Sequence, residues 1–513
     1  MHSTSFPLTD IDHTHQYTLV RWIFLRMLGA IYLFAFASLL FQMIGLVGEQ
    51  GILPAQSYLD LVYKYKHTES FALLPTLCWW LGASNEMIQA CLIAGCLFSV
   101  MLILDLFPSI SALMLWVLYL SMVNIGRTFL AYQWDNLLLE VGLLAIFLAP
   151  LHALPKYKRT LPSNVILWLL RWLLFRLYFF SGVVKLQSGD KAWQDFTALL
   201  YHFETQPLPT WTSWWMHQLP EILLRVGTLS MFIVELIIPL LIFTPQKIRK
   251  WAFFPMASLQ VLIMLTGNYG FFNLLSFALC LLLLDDDTII RYFPQKLSTH
   301  LPRFTGTQEA LWRAPIIYML AVIVITVSGY KTLSRFVPSS QLPPIARYVD
   351  QKTRPFRSIN RYGLFAIMTK TRPEIIIEGS QDTKTWKAYT FRWKPGSLSS
   401  KPRFLTPHMP RLDWQMWFAS LGTIKRNRWM LNFMRQLQKG NRDVLALLSK
   451  NPFPKHPPKY LRATVYRYTF TKLSGHTPAH LWWTRTYKRN YLPFPWLVAH
   501  NPSSQRPQQK SGR

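Results

Sequence analysis

The chain has 513 residues, 51% of them hydrophobic, and a formal net charge of +30, a length that allows two to four domains. The charge is uneven: residues 1–336 hold 22 Lys+Arg against 18 Asp+Glu, and residues 337–513 hold 32 against 6, so two kinds of polypeptide meet near residue 336. A nucleic-acid binder is excluded despite that excess, because no such motif occurs and the basic part is expected outside the cytoplasm.

In chain order, an N-terminal arm (1–19) with His13 and His15 precedes the first apolar run. Windows at 20–46, 87–107, 109–126, 135–151, 164–184, 221–243, 251–266, 270–285 and 315–336 approach the ~20 apolar residues that a membrane-spanning helix needs. "TGNYG" (Thr266 to Gly270) supplies the turn that divides the seventh from the eighth. The fold class expected is a polytopic α-helical membrane bundle of about nine spans over 20–336, followed by a small extracytoplasmic β-sandwich-like domain with helical insertions. The first apolar run is too long for a cleavable signal core, so a retained anchor is expected.

Short basic loops stay in the cytoplasm. "KYKR" (Lys156 to Arg159) and "KIRK" (Lys247 to Lys250) therefore place the N-terminus inside and put the 185–220 loop and the part after 336 outside, in periplasm or ER lumen. The basic charge there suits either attraction to anionic membrane lipids or a plain solvated surface. The four cysteines (Cys78, Cys91, Cys96, Cys280) all lie in apolar segments, with no spacing suited to zinc.

Beyond 337 the reading changes to strands and turns. "PEIIIEGS" (Pro373 to Ser380), "TWKAYTFRW" (Thr385 to Trp393) and "LRATVYRYTF" (Leu461 to Phe470) are rich in β-branched and aromatic residues. Helices are expected at Arg411 to Gly422 and Arg428 to Gly440, each closed by glycine. The domain is expected over 337–495, with a disordered tail at 496–513.

Motifs for common chemistries are missing: there is no G-x-S-x-G elbow, H-E-x-x-H helix, P-loop or G-x-G-x-x-G. No cofactor or metal is implied. Ionisable residues inside apolar windows carry more weight, because each is costly there unless paired or functional. Glu140, Arg171, Arg176 and Glu235 are of this kind, and pairing across the bundle is the reading favoured over an ion path. Lys185 ends the fifth window. It is either a snorkelling lysine or, if held against apolar surface, a candidate base.

The following stretch, "GDKAWQDFTALLYHFETQPLP", is too particular for a connector. Its aromatics and the tryptophans just beyond suit contact with protein or membrane interface, and Trp193, Tyr201, His202, Glu204, Trp211 and Trp214 are the client-binding candidates.

"RMLGAIYLFAFASLLFQMIGLVGEQGILP" (Arg26 to Pro54), "FSGVVKLQSGDKAWQDFTALLYHFETQPLP" (Phe180 to Pro209), "VLIMLTGNYGFFNLL" (Val261 to Leu275), "YGLFAIMTKTRPEIIIEGSQD" (Tyr362 to Asp382) and "PHMPRLDWQMWFASL" (Pro407 to Leu421) together resemble the lipase maturation factor family. The resemblance implies a multi-pass membrane protein that assists secreted lipases, or other exported clients, on the extracytoplasmic side. The membrane would be the ER's in a eukaryote and the inner membrane in a bacterium. "FFSGVVKLQSGDKAW" is also similar to the membrane segment of vitamin K-dependent gamma-carboxylase, whose catalytic base matches Lys185, although the spacer before Trp193 is longer here and the soluble domain differs. The expected function is thus a membrane chaperone. The alternative is a membrane enzyme using Lys185 as a base on a lipid-borne or quinone-type substrate.

Overall fold

A computed structural model of the protein describes residues 17–155, 158–292, 305–307, 312–473 and 480–492. His13, His15 and the 496–513 tail lie outside the described residues, as does all but the end of the 1–19 arm. The principal helices are α1 (Thr18–Leu40), α2 (Asn85–Ile103), α3 (Pro108–Gly126), α4 (Gln133–Leu148), α5 (Asn164–Gln187), α6 (Leu199–Thr205), α7 (Trp211–His217), α8 (Glu221–Phe232), α9 (Gln246–Thr266), α10 (Phe272–Leu281) and α11 (Arg313–Leu333).

Among the described residues, seven helices are long and apolar enough to cross a membrane, which corrects the expected nine. The windows at 135–151 and 270–285 do form helices, but α4 has 16 residues and α10 has 10. Pro150 follows the end of α4, and polar punctuation shortens α10. A left-handed Gly270 precedes α10, and the aspartates that follow turn back to cap other backbone. Asp285 accepts from Thr288 N at 2.8 Å. Asp286 accepts from the N–H groups of Thr18, Leu19 and Val20 at 2.9–3.0 Å, satisfying the orphan donors that begin α1. The outer faces of the long helices carry exposed Ile93, Leu97, Val226, Leu240, Met319 and Val322, as surfaces facing hydrocarbon do.

The C-terminal region is α+β. Strands β1 (Arg372–Ser380), β2 (Lys387–Ala388), β3 (Thr390–Phe391), β4 (Leu448–Lys450), β5 (Tyr460–Phe470) and β6 (Trp483–Asn490) form a four-stranded antiparallel sheet, ordered β2-β1-β5-β6, and a separate β3-β4 pair. Helices α12 (Arg411–Leu421) and α13 (Trp429–Gln438) match the expected insertions. The sandwich expectation is corrected: the layer against the main sheet is helical, with α12 packed on β1. The expected strand Thr385–Trp393 splits: Lys387–Ala388 pairs with β1, a pairing that the Tyr389 N–H extends to Ile377 O at 2.9 Å, and Thr390–Phe391 then pairs with β4 in a different sheet. Ile375, Ile377, Ala463 and Val465 join the main core, while Ile376, Tyr468, Phe470 and Trp483 form a second cluster. A sheet with both faces packed is the result.

The two regions interlock. Arg411 on α12 forms a bidentate ion pair with Asp135 on α4, both contacts 2.7 Å and both side chains almost fully buried. Gln42, just past α1, donates to Met409 O at 3.0 Å and accepts from Arg411 N at 2.7 Å. These contacts involve the C-terminal end of α1 and the N-terminal end of α4, the ends that antiparallel neighbours bring to one side.

Candidate functional site

The 185–220 segment is folded rather than open. Asp190 caps a turn by accepting from Ala192 N at 3.0 Å, and its second oxygen accepts from Met368 N at 2.6 Å. Thr210 caps α7 through Ser213 N at 3.3 Å. Arg372 of β1, fully buried, donates to the carbonyl oxygens of Glu204 (2.9 Å), Gln206 and Pro207 (2.8 Å). Three carbonyls converging on one guanidinium fix the path "ETQPLP" takes. Glu204 accepts from Phe470 N at 2.8 Å. Burial raises its carboxyl above the usual range, although that N–H and the charges of Arg372 and Arg467 pull the other way.

Asn268 completes the junction: it donates to Leu208 O (3.0 Å) and Arg403 O (2.8 Å) and accepts from Leu405 N at 2.7 Å. The "TGNYG" turn therefore ties the loop to the C-terminal domain. A Cβ at Gly267 would lie 2.2 Å from Gln206 Oε1 and 2.5 Å from Tyr269 Cε2, so a larger residue there would displace those side chains.

Beneath this junction lies a cavity of about 560 Å³. Tyr178, Ser181 and Lys185 reach it from one face of α5, with Gln260 from α9, Asn273 from α10, and Trp193, His202 and Trp211 from the loop. Glu235 comes from a span that changes helical type: α8 ends at Phe232, a π turn runs Ile233–Ile237, and a 3-10 segment runs Ile238–Phe243. Pro239 is the cause, because it has no N–H to offer the Glu235 carbonyl and its ring would strike that oxygen in an α-helix. Glu235 is thereby turned toward α5. Lys185 Nζ lies 2.7 and 2.6 Å from its two carboxylate oxygens and 5.2 Å from the Trp193 ring centre. Gly182 permits this approach; a Cβ there would sit 2.6 Å from Leu236 Cδ2.

His202 Nε2 is 3.3 Å from Tyr269 Oη, which donates to Gln206 at 3.1 Å. Burial, helped by the Lys185 charge, holds the imidazole down at about 4, so it is neutral at ordinary pH. On the far wall Gln260 donates to Tyr178 Oη (2.7 Å) and Asn273 donates to Gln260 Oε1 (2.7 Å). Asn273 Oδ1 is buried without a partner.

Each candidate residue can now be placed. Lys185, Trp193 and His202 meet at the cavity. Glu204 is turned to β5, and Trp214 donates to Thr471 Oγ1 at 3.2 Å and packs on Trp482. Trp211 is 37% exposed and its neighbour Trp215 50%, while Trp193 is 3% exposed; Tyr201 packs beside Trp193 and Phe232. Glu140 pairs with Arg176 and accepts from Asn360 N (2.9 Å) and Tyr362 Oη (2.7 Å). Arg171 takes a different course, donating to Leu282 O at 3.0 Å with its guanidinium 4.8 Å from the Tyr17 ring centre. Sequence reasoning missed Arg372, Asn268, Gln260 and Asn273. "TGNYG" was the signal available for Asn268.

The family model for the lipase maturation factor transmembrane domain matches residues 19–291, and that for the lipase maturation factor C-terminal domain matches residues 358–493. Lipase maturation factor 2 of Xenopus laevis is 35% identical, covering 93% of this chain and 82% of that protein. The human lipase maturation factor 2 is 34% identical over the same shares. Mouse lipase maturation factor 1 is 32% identical, covering 94% and 88%. No solved structure matches. With both domain models matched and relatives aligned over most of their length, this multi-pass membrane protein belongs to the lipase maturation factor family.

Proposed function

We propose that the protein is a membrane-embedded maturation factor that assists folding and assembly of secreted lipases, or similar exported proteins, on the extracytoplasmic side. The printed names of its relatives supply the client class. The observation that carries the reading is the fusion of the 185–220 segment with the C-terminal domain, through Arg372, Glu204 and Asn268, into one surface at one end of the helices. A maturation factor needs a firm platform that can hold a partly folded chain and limit its aggregation; it needs no covalent chemistry. Trp211 and Trp215, exposed tryptophans of the loop, are contact residues that this surface offers a client.

The test has two arms. Deleting the gene should lower secreted lipase activity while lipase message is unchanged, and a photo-crosslinker at position 211 in the intact membrane should capture an exported protein. Unaltered activity of every candidate lipase, with no exported protein captured, would overturn the proposal. Lys185 as a catalytic base is the weaker reading, because its ammonium is held by both oxygens of Glu235, the geometry of an ion pair rather than of a free amine.

A further inference from the structure

The cavity beneath the loop has features that a client platform does not require. Its mouth lies between α8 and α9. There Leu262 and Leu265 line it while being 57% and 50% exposed, and the half-exposed Trp215 lines it too. Helix α9 packs along the second half of its partner span, Ile233–Phe243, and parts from α8 above it. These two spans are the most exposed pair in sequence, 28% and 22% buried, so the mouth opens toward hydrocarbon.

The deep end is polar but has no charge to spare. Lys185 is held by Glu235, and burial keeps His202 neutral. A phosphate or carboxylate would meet Glu235 without an unpaired cation to receive it, and an ammonium would meet Lys185; both would lose hydration without return. What the wall lacks is a donor. Asn273 is 1% exposed, its amide N–H is given to Gln260, and its Oδ1 accepts nothing. Buried carbonyl oxygens are rarely left so, and a hydroxyl is the group that would satisfy this one. A cavity of about 560 Å³ holds one small ligand or one chain rather than a two-chain lipid.

We infer that this cavity binds a neutral, hydroxylated single-chain lipid of the monoacylglycerol or long-chain alcohol class, received sideways from the bilayer between α8 and α9. The hydroxyl donates to Asn273 Oδ1 beside the Lys185–Glu235 pair, and the chain lies along Leu262 and Met231 toward the mouth. The inference is independent of the client reading, since either could hold without the other.

The full-length protein in phosphatidylcholine nanodiscs is irradiated with a diazirine-bearing monoacylglycerol, and the labelled peptides are mapped. Saturable labelling of 227–235 and 259–276, competed away by unlabelled monoacylglycerol, is expected. Matched diazirine probes of a fatty acid and of phosphatidylcholine should label these peptides far less. Leu262→Trp, at an exposed position in the mouth, should abolish the labelling with the unfolding temperature unchanged. Asn273→Leu should weaken it about five- to ten-fold, the value of one lost hydrogen bond. Labelling that does not saturate, that spreads over the outer helix faces, that is as strong with the fatty-acid or phosphatidylcholine probe, or that survives in a folded Leu262→Trp protein would overturn the inference.

Discussion

The Lys185–Glu235 pair makes a quantitative prediction. The two side chains are 4% and 10% exposed and are joined through both carboxylate oxygens. Removing one partner leaves the other buried and uncompensated, a loss of about 3–5 kcal/mol, whereas replacing both with apolar residues of similar size is close to neutral. Lys185→Met and Glu235→Leu should each lower the unfolding midpoint by roughly 6–10 °C, at about 2 °C per kcal/mol for a large domain. The double variant should return to within about 1 kcal/mol of the parent, so the two losses are strongly non-additive. The chain supplies its own reporter: Cys78, Cys91 and Cys280 are free and buried, and a thiol-reactive fluorophore will report their exposure on heating in detergent. If the double variant lost the sum of the single losses, or if either single variant matched the parent, the pair would not be the buried linkage described.

Other outcomes follow from neighbouring features. Gly182→Leu should destabilise by about 1–3 kcal/mol and separate α5 from the π turn, because its side chain would collide with Leu236; the same thermal assay measures it. Arg372→Met should release the loop: hydrogen exchange at 204–206 should quicken while that of α1 and α2 stays unchanged, at a cost of roughly 3–5 kcal/mol because Glu374 also loses its buried partner. His202, held down at about 4, gives stability that is fully present above pH 6.5 and is lost as pH falls toward 4. Thermal midpoints of the parent and His202→Gln should therefore converge on acidification through that window; parallel curves would show that this imidazole is not what titrates.

Much of the architecture is legible in the sequence because its signals are local. Apolar runs gave the spans and glycine closed α12 and α13. The β-branched run "EIIIEGS" gave β1. Span number failed where polar residues cut a window short: Asp285 and Asp286 serve as caps, and no hydropathy average sees that. The sandwich failed because α12 rather than a second sheet covers β1, and because the strand-like run 385–393 changes sheets just after Tyr389. At the site, Lys185, His202 and Glu235 stood out individually. Their meeting depended on Pro239 converting a helical turn, and on Asn268 and Arg372 folding the loop down, contacts that span 135 to 168 residues of sequence. Sequence periodicity carries no information about such pairings.

The Arg411–Asp135 bond has a consequence for biosynthesis. Its partners are 276 residues apart, so a ribosome must add more than half the chain before the carboxylate on α4 meets its guanidinium. Until then Asp135 keeps the Tyr119 hydroxyl as its donor within the bundle but lacks its counter-charge. Chains that stall before residue 411 therefore lack the bond that fastens α12 to α4, and the junction between the two regions stays unmade in them.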